Sequence, residues 1–245
     1  SSAVPLATTG GLDTVAVRMP SHKTARAMID AAGGYIAAPS ANRSGRPSPT
    51  VARYVIEDLD GLVDMIIDGG EVNIGLESTI IDLTEKVPMI LRPGYITKEM
   101  LEEVLGEEVR IDPGIIASDS TKKPKAPGMK YKHYAPKADL VLVEGEQEAV
   151  VAEINALVRE KQAAGLKVGV VATDETESLY QADYVVTIGA RSDEDAIARH
   201  LYKILREFDD WNVDAIYSES FSTPRIGQAI MNRLMKAAGH QVIHV

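Results

Sequence analysis

Asp139-Leu140-Val141-Leu142-Val143 is a short apolar run that a glycine and acidic residues close at Glu144-Gly145-Glu146. A helical pattern follows over roughly 147–163, and the same alternation then repeats to the end of the chain. Strands are expected at 139–143, 167–172, 183–188, 213–217 and 241–245. Helices are expected at about 147–163, 174–181, 192–208 and 225–238. Apolar strands separated by helices build a parallel sheet covered on both faces. Residues 138–245 are therefore expected to form a Rossmann-like parallel α/β domain. Its first turn has no Gly-x-Gly-x-x-Gly fingerprint, so it is not read as a dinucleotide site.

Upstream lies the most basic stretch of an acidic chain. Of 245 residues, 26 are Lys or Arg and 36 are Asp or Glu, for a net charge of −10. Residues 1–117 carry −7 and residues 138–245 carry −8, whereas residues 118–137 carry +5. Lys122-Lys123-Pro124-Lys125-Ala126-Pro127-Gly128 has neither helical nor strand periodicity, and its prolines favour extended chain. The segment 118–137 reads as an interdomain linker. Either it is a solvated tether or it lies over bound phosphates as a lid. Met129, Tyr131, Tyr134 and Pro136 are contact residues that a plain spacer does not need. Net acidity argues against nonspecific nucleic-acid binding. The chain has no cysteine, which excludes disulfides and thiolate metal sites and suits a reducing cytosol.

The first part, residues 1–117, mixes strands and helices. Tyr35 to Ala38 reads as a short buried strand stopped by Pro39, and Met65-Ile66-Ile67-Asp68 as another. Ser21 is the expected cap of a helix through about Ala32. Ser48-Pro49 is the expected start of a helix ending near Gly61, and Thr97 of one that Gly106 stops. Two strands, 79–83 and 87–91, are joined by Thr84-Glu85-Lys86. A three-residue loop sets Leu83 opposite Val87, Ile80 opposite Ile90 and Ser78 opposite Arg92. A hydroxyl and a guanidinium then meet at the open end of a hairpin. The pattern alone favours a plainer reading, with Ser78 a strand-start residue and Arg92 a surface cation.

The loop Ala37-Ala38-Pro39-Ser40-Ala41-Asn42-Arg43-Ser44-Gly45-Arg46-Pro47-Ser48-Pro49-Thr50 changes that balance. It resembles the signature loop of the Sua5/YrdC family of threonylcarbamoyl-AMP synthases. The resemblance extends to Leu12-Asp13-Thr14-Val15-Ala16-Val17-Arg18-Met19-Pro20, Gly75-Leu76-Glu77-Ser78-Thr79-Ile80-Ile81-Asp82, Ile90-Leu91-Arg92-Pro93-Gly94-Tyr95-Ile96-Thr97 and Ala126 to Pro136. It reaches the last helix, at Ala229-Ile230-Met231-Asn232-Arg233-Leu234 with Lys236-Ala237-Ala238. Ser222 to Gly227 fit the pattern less well. The family's N-terminal Lys-x-Arg and Ser-x-Thr-Asn-Pro motifs do not occur. Roughly a hundred residues are therefore expected to be missing, by the usual size of such a domain, with weak activity of this chain alone.

The resemblance implies an α/β protein: a partial YrdC-like, twisted mixed-sheet domain joined by the basic linker to the Sua5 domain. It implies that Arg18, Ala38 and Ser78 bind threonine. Thr14, Ser40, Ser48, Arg92 and Tyr131 would bind ATP, with Asn42 and His133 as secondary candidates. Arg18 suits a carboxylate because its fork can donate twice. No side chain is assigned as a catalytic acid or base. The implied reaction makes threonylcarbamoyl-AMP from L-threonine, bicarbonate and ATP for the t6A37 modification of tRNA. Mg²⁺ would serve as counter-ion of ATP. Other t6A-pathway proteins would be partners, tRNA only an indirect one, and the setting cytoplasmic with no membrane. Two other readings stay open: an RNA-binding YrdC-like module without catalysis, and a carbamoyl-adenylate-forming enzyme of hydrogenase maturation. His240 and His244 are four apart but are expected on a strand, where that spacing has no helical meaning, and read as structural residues rather than a metal pair.

Overall fold

Residues 4–9, 11–116, 134–221 and 225–245 are described by the computed structural model. They divide into two compact units, Ser1–Ala41 and Asn42–Val245.

The first unit contains one helix, α1 (Lys23–Ala31). Its N-cap is His22, and no side chain bonds the cap, so Ser21 does not play the expected role. Neither Val15–Val17 nor Tyr35–Ala38 forms a strand; Val17 is 88% exposed and Tyr35 86%. A strand is completed by a hydrogen-bonded neighbour, and the described residues of this unit supply none.

The second unit begins with the end of the signature loop and α2 (Ala52–Leu59). The N-cap of α2 is Val51, so the helix starts later than Ser48-Pro49 suggests. Met65–Asp68 is not a strand either, and Met65 is 76% exposed. A small mixed sheet follows. β1 (Ile80–Asp82) pairs antiparallel with β2 (Met89–Arg92), and β2 pairs parallel with β3 (Arg110–Ile111). Between β2 and β3 runs α3 (Lys98–Leu105), which starts and stops where the sequence indicates. The Thr97 side chain accepts from the Met100 amide, and Gly106 closes the helix at φ 70°. A single turn, α4 (Pro113–Ile116), ends this part.

The hairpin register differs from expectation. Ile81 pairs with Ile90 and Asp82 with Met89, and a bulge then sets Ile80 opposite Arg92. The cause is a wider turn. Asp82 Oδ1 accepts from the Thr84 amide at 2.9 Å and from its hydroxyl at 2.6 Å, which curls the chain early. Pro88, which has no amide hydrogen, then lies just before β2 and cannot extend the ladder by donation.

The parallel sheet contains β4 (Asp139–Glu144), β5 (Val168–Ala172), β6 (Tyr184–Thr187), β7 (Ala215–Glu219) and β8 (Val242–His244). Their order is β6-β5-β7-β4-β8, and every pair is parallel. Helix α5 (Gln147–Ala163) buries Val150, Ile154 and Val158 on one face. Helices α6 (Glu194–Trp211) and α7 (Gly227–Ala237) cover the other, where Leu201, Leu205, Phe208, Ile230 and Leu234 meet Leu140 and Leu142. Successive strand side chains alternate faces, so Val143 joins the α5 cluster. The helix expected at 174–181 is only a 3-10 turn, Glu177–Leu179. Thr176 instead bonds Thr173 and the buried Glu219 through its hydroxyl, which ties this stretch to the sheet.

The mixed-sheet part packs against the helices of the parallel-sheet part through residues outside its strands. Leu76 and Tyr95 from the mixed-sheet part pack on the α6–α7 cluster. Gly75, at φ 77°, lies so near α6 that a Cβ there would collide with the backbone of Ala198 and Arg199.

Candidate functional site

Ser78 and Arg92 do meet at the open end of the hairpin, through a different atom from the one expected. Arg92 Nε and Nη2 donate to the Ser78 carbonyl oxygen at 3.2 and 2.9 Å. The bulge at Ile80 puts Arg92 beside the backbone of Ser78. Ser78 itself is exposed, while Arg92 is 6% exposed.

Glu77 organises the surroundings. Its Oε1 accepts from the Ser48 hydroxyl at 2.7 Å. Its Oε2 accepts from the Tyr202 hydroxyl at 2.8 Å and from Arg233 Nε at 3.1 Å. Burial alone would raise the carboxyl pKa. Arg233, the Ser48 hydrogen bond, Arg92 and Tyr202 outweigh it and hold the group below the ordinary carboxylate value. Arg233 also donates to the backbone carbonyls of Glu77, at 3.3 Å, and of Pro93. Lys236, one turn on along α7, is 8% exposed. Burial, followed by the like charges of Arg233 and Arg92, pushes its pKa down to about 8.

A second network holds the end of the signature loop. Arg206 of α6 donates to both oxygens of Asp58 on α2 and to the Pro47 carbonyl. Arg46 bridges Asp58 at 2.7 Å and Asp209 at 3.0 Å. Asn42 Nδ2 donates to the carbonyls of Arg43 and Arg46, so this amide orders the loop. The buried ring of Tyr134 lies 5.2 Å from that of Tyr202.

The structure thus brings together Ser48, Ser78 and Arg92 of the candidates, with Glu77 between them. Asn42 lies in the loop beside that group. Thr14, Arg18, Ala38 and Ser40 belong to the first unit and are exposed there. Tyr131 and His133 lie outside the described residues, as does most of the basic segment. Sequence reasoning assigned no role to Glu77, Tyr202 or Arg233. Two of these had a signal: Glu77 and Arg233 are the charged residues inside two of the quoted motifs.

A mixed sheet joined to a five-stranded parallel sheet defines an α/β protein with two differently built sheets, and comparison with known proteins gives the class. The family described as "Threonylcarbamoyl-AMP synthase, C-terminal domain" matches residues 96–239. The Sua5/YciO/YrdC family, described as "Telomere recombination", matches residues 1–94. A threonylcarbamoyl-AMP synthase of Bacillus subtilis is 50% identical over 96% of this chain and 66% of its own length. That of Pyrococcus abyssi is 48% identical over 100% of this chain and 70% of its own. That of Schizosaccharomyces pombe is 37% identical over 94% of this chain and 58% of its own. The crystal structure of P. abyssi Sua5 complexed with L-threonine superposes with a TM-score of 0.90, covering 100% of this chain and 70% of that one. The chain belongs to the Sua5/YrdC family of threonylcarbamoyl-AMP synthases, in its two-domain Sua5 form. It is an enzyme chain that spans about two thirds of the length of the B. subtilis and P. abyssi relatives.

Proposed function

We propose that the protein carrying this chain condenses L-threonine, bicarbonate and ATP into L-threonylcarbamoyladenylate, releasing pyrophosphate. In this reading it is a nucleotidyltransferase that supplies the t6A37 modification of tRNA. The observation that carries the reading is the hairpin end, where exposed Ser78 and buried Arg92 share one carbonyl. It is supported by the 48% identity, along the whole chain, to a Sua5 structure that holds L-threonine.

The chemistry balances as follows. The threonine amine adds to carbon dioxide, or to bicarbonate with loss of water, and becomes a carbamate. A carbamate oxygen attacks the α-phosphorus of ATP. The bond from that phosphorus to the oxygen bridging the α- and β-phosphates breaks, and pyrophosphate leaves. The protein aligns the reactants and offsets phosphate charge. Arg92 is assigned to ATP and Ser78 to threonine. Arg18 and the Ala38 backbone complete the threonine contacts, and Thr14, Ser40, Ser48 and Tyr131 those of ATP. Phosphate oxygens only accept, so Ser48 reaches ATP through its hydroxyl by turning the proton away from Glu77. Among the described residues no group of three or more His, Cys, Asp or Glu is placed to hold a metal. Mg²⁺ is assigned to the ATP phosphates and water, as the usual counter-ion of ATP, and no step runs through it.

Among the described residues no helix is long and apolar enough to cross a membrane. A cytoplasmic setting belongs to the same proposal, and the absence of cysteine fits it. Isothermal titration tests the site. Arg92→Ala should weaken ATP, and Ser78→Ala should weaken threonine, each about ten- to a hundredfold for loss of a hydrogen bond to a charged group. Unchanged affinity in both variants removes the hairpin end from the site.

A further inference from the structure

Arg233 sits on α7, the last helix of the parallel-sheet part, yet among the described residues its guanidinium donates to the mixed-sheet part. Its side chain has no exposure. The guanidinium donates to the carboxylate and the carbonyl of Glu77 and to the carbonyl of Pro93. Glu77 immediately precedes Ser78, and Pro93 immediately follows Arg92. One rigid fork therefore spans the open end of the hairpin, one residue outside each of the two groups assigned to substrates. Tyr202 of α6 reinforces the arrangement by donating to the same carboxylate oxygen, at 2.8 Å. The other oxygen holds Ser48. Gly75 seats the segment before Glu77 against α6.

We propose that Arg233 is a positioning residue for the substrate site: through Glu77 and Pro93 it sets the separation of Ser78 and Arg92, and with it the affinity for threonine and ATP. This rests on the assignment of Ser78 and Arg92 to those ligands. It gives the parallel sheet a task in a reaction whose groups lie outside it. A planar guanidinium suits the role because its donors diverge in fixed directions toward several acceptors. A lysine supplies the charge without that fork.

The test compares Arg233→Met and Arg233→Lys with a destabilised reference, Glu219→Gln. Glu219 is buried among Thr176, Tyr180 and Arg191, within the parallel-sheet part. Each variant of the protein is measured for melting temperature, for KM and kcat in threonine-dependent pyrophosphate release, and for amide hydrogen exchange without ligand. Temperatures are chosen equally far below each melting point. Arg233→Met should raise the KM for threonine about tenfold or more, as expected for an emptied buried polar site, with a smaller change in kcat. Exchange in residues 75–80 and 90–94 should quicken beyond that in Glu219→Gln. Arg233→Lys should recover part of both effects, and it carries the comparison if Arg233→Met does not fold. A KM for Arg233→Met within about twofold of that for Glu219→Gln, or equal exchange in those segments, would overturn the proposal. Absence of threonine-dependent pyrophosphate release from the unaltered protein counts against the proposed function alone. The exchange comparison still decides whether Arg233 positions the hairpin end.

Discussion

Arg206 donates to both carboxylate oxygens of Asp58, at 3.2 and 2.7 Å, and neither side chain has any exposure. This pair joins α6 to α2. With the Pro47 carbonyl, it fixes the end of the signature loop next to Ser48. Removing one partner of a buried pair costs about 3–5 kcal/mol, and Arg46, 2.7 Å from Asp58, keeps the loss here at the lower end by leaving the carboxylate one cation. Arg206→Met should therefore lower the unfolding free energy by about 3 kcal/mol in urea titration. The exposed pair Lys203–Glu71, 3.3 Å apart, is the contrast. Lys203→Met should cost less than about 1 kcal/mol. Equal losses in the two variants would mean that the buried network does not hold the loop.

Lys236 gives a pH dependence with a definite sign. Burial, then Arg233 and Arg92, lower its folded pKa to about 8, from 10.5 as the ordinary value. Between those two values the unfolded chain binds the proton and the folded one does not. Stability therefore rises with pH across that window. Urea unfolding should show a gain of about 1–2 kcal/mol from pH 7.5 to 9.5, before the tyrosines begin to titrate near pH 10. Lys236→Met should abolish this gain. A variant that keeps the full slope would place its source elsewhere.

Gly75 and Gly106 both have positive φ, at 77° and 70°, but only Gly75 faces a neighbouring backbone. An alanine at Gly106 meets nothing within 4 Å and bears only the left-handed strain, about 1–2 kcal/mol. Gly75→Ala adds a collision with α6 that no side-chain rotation relieves. Its melting temperature should fall clearly further than that of Gly106→Ala. Equal shifts would show that the segment before Glu77 can move off α6 without cost.

Legibility in the sequence tracked the range of the forces involved. The strands of the parallel sheet announce themselves because both faces are covered, so Val168–Ala172 is apolar at every position. Thr97 and Gly106 mark the limits of α3 by local hydrogen bonding and local φ. The hairpin register was missed because Asp82 and Pro88 widen the turn beyond the three residues counted. The apolar runs at 35–38 and 65–68 have strand composition, but composition does not supply a ladder partner. The family motifs led to Ser78 and Arg92. They did not reveal what orients them, because Glu77 finds Tyr202 and Arg233 at separations of 125 and 156 residues.

The reaction itself is tested most directly by the fate of bicarbonate carbon. The protein is incubated with ¹³C-bicarbonate, ATP and L-threonine, and the nucleotide products are resolved by mass spectrometry. An adenylate containing threonine and one ¹³C should appear only when all three substrates are present, in step with pyrophosphate. Pyrophosphate release without threonine, or an adenylate that carries no label, would contradict the assignment.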